Sequence, residues 1–168
     1  MEEKRPEQGY SADGYIMDQD CFSSLRYRTM PASINGCGPV AVFNLLRFLG
    51  RERPLEEIMG DMDARHYLHA PGPTSMRVMR AVLADLVPEI QEAAGQEAAT
   101  ALAANSRAGI IRYREGREPH FVSYLRQEDG LFRFFNVADG LEDCAMSMER
   151  FASGHCASGI MIVLAVPV

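Results

Sequence analysis

The chain has 168 residues and a mass of 18.7 kDa, which is the size of one ordinary domain. Apolar residues make up 47% of it and charged residues 24%, and this composition excludes disordered, collagen-like and coiled-coil proteins. With 17 Lys and Arg against 23 Asp and Glu the net charge is −6. Because the arginines are also dispersed, we expect no nucleic-acid partner.

No apolar run approaches the roughly 20 residues that a membrane-spanning helix needs, and residues 1–15 lack the apolar centre of a secretory signal. We therefore expect a cytoplasmic protein that does not insert into membranes and whose thiols stay reduced. Residues 1–20 are polar and predict a loosely held arm, followed by a single domain over 21–168. The cysteines are expected to be buried, reactive or metal-binding rather than bridged: Cys21, Cys37, Cys144 and Cys156.

Helical patterns dominate the first half of the domain. Residues 40–49 are apolar on nearly every side and predict a buried helix that ends at Gly50. Three more helices are predicted after it, at 54–59 with Gly60 as the stop, from a Thr74 cap to Val87, and at 97–105.

After residue 105 the pattern alternates and becomes rich in β-branched and aromatic residues, which predicts strands. Helices followed by an antiparallel sheet define an α+β fold. We place the strands at 109–114, 120–127, 131–137 and 159–166, with turns at 115–116, 129–130 and 139–140 and a short helix at 147–152.

Cys37 is the candidate nucleophile, because it stands at the start of the buried helix. Pro39 is suited to the first helical turn, and the flanking Gly36 and Gly38 leave room for a substrate. Free N–H groups and the positive end of the helix dipole stabilise a thiolate, which is the nucleophilic form of cysteine.

A thiolate nucleophile needs a base, and His120 opens a strand beside the Gly- and Pro-containing loop 115–119. His66 and His69 lie in a polar link between helices, where we expect solvated surface histidines. The remaining candidate metal ligands are Cys144, His155 and Cys156. They lack the paired spacing of a zinc site, so we expect no metal and no cofactor.

A base works best when a third group holds its ring, and Asn136 and Asp139 follow in the next strand. A two-residue turn at 129–130 would place Asp139 opposite His120. A three-residue loop at 128–130, with Gly130 left-handed, would instead make Asn136 a diagonal neighbour of His120 on the same face. The residues alone leave both registers open.

The run Asn-Gly-Cys-Gly-Pro-Val-Ala-Val-Phe-Asn-Leu-Leu-Arg-Phe-Leu-Gly, then His-Phe-Val, then Phe-Phe-Asn-Val, resembles the papain-like cysteine peptidases. Within them it is most similar to the bacterial C39-like group, which includes bacteriocin leader peptidases. The resemblance covers roughly residues 30–168 and implies a papain-like fold, with the nucleophile at the start of a buried central helix packed on a C-terminal antiparallel sheet. It implies Cys37 as nucleophile, His120 as base and Asn136 as the ring-orienting residue, and so favours the three-residue loop.

The family usually has a glutamine a few residues before the nucleophile as an oxyanion donor, but residues 29–36 contain none. Asn35 is the nearest amide side chain, and we expect it to donate to the oxyanion beside the backbone N–H of Cys37. The expected activity is that of a cysteine peptidase or amidohydrolase acting on a peptide or protein substrate through a thioester. The alternatives are a catalytically silent domain that binds a peptide or partner protein, and an acyltransferase on the same scaffold.

Overall fold

The structure is a computed structural model that describes residues 8–67, 70–137, 145–156 and 160–168. A 3-10 helix lies at Gln19–Phe22, and the α-helices are α1 (Ala32–Asn35), α2 (Cys37–Phe48), α3 (Leu55–Ala64), α4 (Met76–Leu86), α5 (Gln96–Ala104) and α6 (Met148–His155). The strands are β1 (Arg26–Tyr27), β2 (Met30–Pro31), β3 (Gln91–Ala94), β4 (Ser106–Glu115), β5 (Glu118–Arg126), β6 (Phe132–Phe135), β7 (Ala145–Met146) and β8 (Ile162–Pro167). Within these ranges no helix combines the length and the apolar character that a membrane crossing requires.

Six strands form one antiparallel sheet in the order β3-β8-β4-β5-β6-β7, and β1 and β2 form a separate hairpin. Strand β8 is the last in chain order, yet it lies inside the sheet between β3 and β4. Five of the six strands of this sheet follow residue 105 and all the helices except α6 precede it, which confirms the α+β class. Strand β3 was not predicted, because its sequence Gln-Glu-Ala-Ala contains no β-branched or aromatic residue.

The sheet separates two apolar cores. Helices α2, α3 and α4 pack on the face that carries Ile110 and Phe121, whereas α5 and α6 pack on the face that carries Ile111 and Val122. Adjacent strand residues therefore point to opposite faces, as the pleat requires. Because α2 lies between the sheet and the other helices, nearly all its side chains are buried, as its uniform apolar sequence predicts.

Three predicted helix boundaries need correction. Helix α3 does not stop at Gly60 but continues to Ala64. Gly60 lies on the exposed side of this helix, where a Cβ would meet open space. The cap of α4 is Ser75, whose hydroxyl accepts from the Val78 N–H at 3.2 Å, rather than Thr74. Helix α6 extends from its Ser147 cap to His155, beyond the predicted end at residue 152.

The hairpin between β5 and β6 has the three-residue loop. Ser123 pairs with Phe135, the Gln127 N–H donates to the Leu131 carbonyl at 2.8 Å, and Gly130 has a φ of 83°. Because Gly130 adopts the left-handed conformation without strain, the three-residue loop can form. The register that the resemblance favoured is therefore confirmed. The predicted turn at 139–140 and Asp139 lie outside the described residues.

Residues 8–20, which we call the N-terminal segment, pack against the rest of the fold instead of forming a loose arm. Ile16 is fully buried, and its N–H and carbonyl both bond to the Asn44 side chain of α2, at 2.8 and 2.9 Å. Asp13 of the same segment forms a 2.6 Å ion pair with Arg133 of β6. Order therefore begins well before Cys21, where the sequence predicted it to begin.

Replacing Asn44 by alanine should destabilise the fold by at least about 2 kcal/mol, because two buried backbone groups of Ile16 lose their partner. Urea unfolding of Asn44→Ala measures this. The matched control is Asn105→Ala, in which an exposed asparagine loses one bond to a helix carbonyl, and its cost should stay within about 1 kcal/mol. Equal losses in the two variants would contradict the anchoring role of Asn44.

Candidate active site

An open cavity of about 1530 Å³ lies at the N-terminal end of α2. One wall is the N-terminal segment, and another contains Pro71, Gly72 and Pro73 of the link between α3 and α4. The four site residues expected from the sequence all line it: Asn35, Cys37, His120 and Asn136.

Cys37 is the first residue of α2 and is only 5% exposed. Burial raises the pKa of the Cys37 thiol above its ordinary value, and hydrogen bonds from the backbone amides of Phe121, Gly38 and Cys37 itself offset only part of this effect. The helix start alone therefore does not produce a thiolate here, in contrast to the expectation from the helix dipole. A thiolate at Cys37 needs a neighbouring cation.

The glycines on both sides of Cys37 serve close packing rather than substrate access. A Cβ at Gly38 would overlap the side chain of Thr74, which is itself 2% exposed. A Cβ at Gly36 would overlap the backbone carbonyl of Ala32. Thr74 is thus not a helix cap. It packs against the start of α2, and its hydroxyl lies 2.7 Å from the Tyr27 hydroxyl.

His120 lies on β5, the strand that packs against α2, and the backbone amide of its chain neighbour Phe121 acts to lower the pKa of the Cys37 thiol. The Nε2 of His120 lies 2.8 Å from the backbone carbonyl of Asn136. A carbonyl only accepts, so Nε2 carries the proton, and in the neutral ring Nδ1 is the basic nitrogen. The ring of Tyr113 meets the imidazole edge-on at 5.7 Å.

Asn136 contacts His120 through its backbone and not through its side chain. Its φ is 61°, in the left-handed region, and its side chain is 6% exposed. The Asn136 Nδ2 donates to Gln19 Oε1 at 2.7 Å, and its Oδ1 accepts from the Gln19 backbone N–H at 3.0 Å. The resemblance, rather than the pattern of the residues, favoured Asn136 as the neighbour of His120, and neither indicated which atoms meet.

Gln19 is the residue of this cavity that sequence reasoning missed. It belongs to the 3-10 helix, lines the cavity and donates from Nε2 to the Ser33 carbonyl at 3.1 Å. It is 18 residues before Cys37, in a stretch with no helical or strand pattern. No signal in the sequence connects it to Asn136.

Asn35 does not have the arrangement of an oxyanion donor. Its Nδ2 donates to the Tyr27 carbonyl at 2.9 Å and to the Gly72 carbonyl at 3.1 Å, so both hydrogens are occupied. The side chain is 6% exposed and joins α1 to the hairpin and to the cavity wall. The expectation of an oxyanion role for Asn35 is therefore corrected to a structural one.

His66 is buried rather than a solvated surface residue. Its Nδ1 donates to the Met62 carbonyl at 2.9 Å, and its Nε2 accepts from the Ser75 N–H at 3.4 Å. Burial is the largest effect on the pKa of His66 and lowers it. His66 thus joins the end of α3 to the start of α4 in its neutral form. His69 lies outside the described residues.

The other described thiols have surroundings unlike that of Cys37. Cys156 is 1% exposed, and burial raises its pKa to about 12. Cys21 lines the cavity, and burial followed by the nearby Asp18 carboxylate raises its pKa. Among the described residues no three His, Cys, Asp or Glu side chains are grouped to hold a metal ion. Cys144 lies outside that part of the chain.

Comparison with known proteins supports the fold but gives no evidence about the chemistry of the site. No family model matches the sequence, and no curated protein matches it. Among solved structures the chain is similar to the peptidase domain of Streptococcus ComA, a bi-functional ABC transporter involved in a quorum-sensing pathway. The TM-score is 0.52 at 15% identity, over 79% of this chain and 92% of that domain. The papain-like α+β fold implied by the C39-like resemblance is thereby confirmed.

Gly38→Ala should destabilise the protein by roughly 1–3 kcal/mol, because the added methyl group overlaps Thr74 in a closely packed region. Gly60→Ala is the matched control, since this helical glycine has open space around it. The control should stabilise by about 0.5–1 kcal/mol through helix propensity. Urea unfolding of both variants gives the comparison, and an unchanged free energy of unfolding in Gly38→Ala would argue against the packing role.

The free energy of unfolding should contain a pH-dependent part from His66. The unfolded histidine titrates near pH 6.5, whereas the folded pKa is lower, so the unfolded state binds the proton more readily. The His66 contribution is complete above about pH 6.5 and is lost as the pH falls toward the folded pKa. Urea unfolding at pH 5, 6 and 7 should show a weaker pH dependence in His66→Phe. An unchanged dependence would mean that another group causes it.

Proposed function

We propose that this protein is a papain-like cysteine peptidase or amidohydrolase, with Cys37 as nucleophile, His120 as base and Asn136 as the residue that orients His120. The observation that carries the proposal is the arrangement around the base. The Asn136 carbonyl accepts from Nε2 of His120, and His120 lines the same cavity as Cys37, on the strand that packs against α2. Nδ1 therefore remains as the proton acceptor for a thiol that burial keeps from ionising alone.

The reaction begins when Cys37 transfers its proton to His120 Nδ1 and its sulfur adds to the substrate carbonyl carbon. The Cys37 backbone N–H, in the first turn of α2, is the proposed donor to the resulting oxyanion. The imidazolium then protonates the leaving nitrogen, the C–N bond breaks and an amine departs. Water, deprotonated by His120, attacks the thioester, which releases the acid and restores the thiol.

The cavity favours an extended peptide with neutral or basic side chains. Its volume of about 1530 Å³ exceeds the roughly 300–1,000 Å³ that ordinary small-molecule pockets occupy. Among the described lining residues Arg133 is the only Lys or Arg, and it is paired with Asp13. Carboxylates line the cavity as well, at Asp18, Asp20 and Glu118, so an acidic peptide would be repelled.

A catalytically silent peptide-binding domain is the second candidate, and two observations favour it. Cys37 is only 5% exposed, and the Asn35 side chain has no hydrogen left for an oxyanion. Loss of one oxyanion donor typically lowers a rate by about 10²–10³. An acyltransferase on this scaffold would share the thioester step and differ only in the acceptor.

Limiting iodoacetamide at pH 6 separates the two candidates, with the label mapped by mass spectrometry. A thiolate–imidazolium pair should label at Cys37 at least about tenfold faster than Cys21, because an ordinary thiol is mostly protonated at this pH. His120→Ala should lower the Cys37 rate about 100-fold, whereas the control Asn105→Ala, at the exposed end of α5, should leave it within about twofold. Slow and equal labelling of all thiols would reject the enzyme.

Incubation of the wild-type protein and of Cys37→Ala with a peptide library tests whether the protein cleaves peptides. Wild type should cleave a subset enriched in neutral and basic peptides, and Cys37→Ala should cleave none of them. Binding of peptides by both proteins without cleavage would instead support the silent domain.

A further inference from the structure

Gln19 is the residue through which the N-terminal segment bonds to Asn136, the residue that directly follows β6. The Asp18 carboxylate caps the 3-10 helix by accepting from the Asp20 N–H at 2.9 Å, so the position of Gln19 at its first residue is fixed. From there both the backbone and the side chain of Gln19 reach Asn136, at 3.0 and 2.7 Å. The two residues are 117 positions apart in the chain.

The bonds from Gln19 act on a residue whose backbone conformation is uncommon. Asn136 has a φ of 61°, in the left-handed region, which asparagine adopts more readily than most residues with a Cβ but which its surroundings help to select. This conformation is also the one in which the Asn136 carbonyl accepts from Nε2 of His120 at 2.8 Å. The reciprocal amide bonds with Gln19 fix the Asn136 side chain, so its backbone cannot relax without breaking them.

Gln19 is in turn held from its other end. Its Nε2 donates to the Ser33 carbonyl just before α2, and the N-terminal segment is fastened to α2 by Asn44 and to β6 by Arg133. The amide of Gln19 therefore connects the helix side of the cavity with its sheet side. Its two polar ends are both occupied, which fits a connecting role better than contact with a substrate.

We propose that Gln19 is a positioning residue for His120: its side-chain amide holds Asn136 in the left-handed conformation that directs the Asn136 carbonyl to His120 Nε2. The inference deepens the proposed function, since it matters for catalysis only if His120 is the base. The geometric part stands on its own and has its own measurement.

The first measurement is independent of catalysis. In a Cys37→Ala background at pH 8 the His120 Nε2–H proton should be visible by NMR and exchange slowly with water, because it is hydrogen bonded. Gln19→Met keeps the size of the side chain but removes its polar ends, and it should raise the exchange rate at least about tenfold. Gln96→Met, which removes a similar amide bond to the Ala152 carbonyl far from the site, should change it by less than about twofold.

Two further variants test whether Gln19 acts through Asn136. Gln19→Glu keeps an acceptor for Asn136 Nδ2 and should retain most of the slow exchange. Asn136→Gly removes the side chain but adopts a positive φ readily, and in that background Gln19→Met should have no further effect. An effect of the same size in both backgrounds would overturn the proposal, as would an unchanged exchange rate in Gln19→Met.

The second measurement connects the geometry to reactivity. With Cys37 present, Gln19→Met should lower the Cys37 labelling rate at pH 6 by about tenfold and move its pH profile toward that of a free thiol. If exchange of the His120 proton depends on Gln19 but Cys37 is unreactive, the positioning role is supported and the peptidase is rejected. If Cys37 is reactive but exchange of the His120 proton does not depend on Gln19, the peptidase is supported and the positioning role is rejected.

Discussion

The first turn of α2 packs directly against the start of β5, and the positions of the other groups in the cavity follow from this contact. In the same turn Gly38 lies against the buried Thr74 side chain, and the backbone amide of Phe121 in β5 acts to lower the pKa of the Cys37 thiol. The same burial that makes the contact close also disfavours the thiolate. The site thus combines a closely packed sulfur with an electrostatic requirement for a partner, and His120 lines the same cavity as this sulfur.

Much of the fold could be predicted because its signals are local. The apolar helix around Val42, the alternating strands and the left-handed Gly130 each appear within a few residues of sequence. Cys37 and His120 were singled out for the same reason, since each stands at or near the start of a recognisable element, although β5 begins at Glu118 and not at His120 as predicted. The choice between the two hairpin registers was harder, because both turns suit the Asp129-Gly130 pair, and the resemblance rather than the residues favoured the correct one.

The features that escaped prediction depend on contacts between distant parts of the chain. The N-terminal segment is polar and irregular, and its burial comes from Asn44 and Arg133, which no local pattern associates with it. His66 was misinterpreted because polar residues between elements are usually exposed, whereas here it joins α3 to α4. Asn35 was expected to donate to an oxyanion, but its amide bonds to two backbone carbonyls. In each case the missing information was which carbonyl or amide needed a partner.

The placement of β8 has a consequence for how the molecule forms. Leu164 and Val166 of this strand complete the core beneath α2, yet they are the last part of the sheet to be synthesised. The hairpin of β4 and β5 has local contacts and can form early, but the sheet gains its interior strand only when translation has passed residue 167. A nascent chain therefore carries both Cys37 and His120 for a period in which the core that supports them is incomplete.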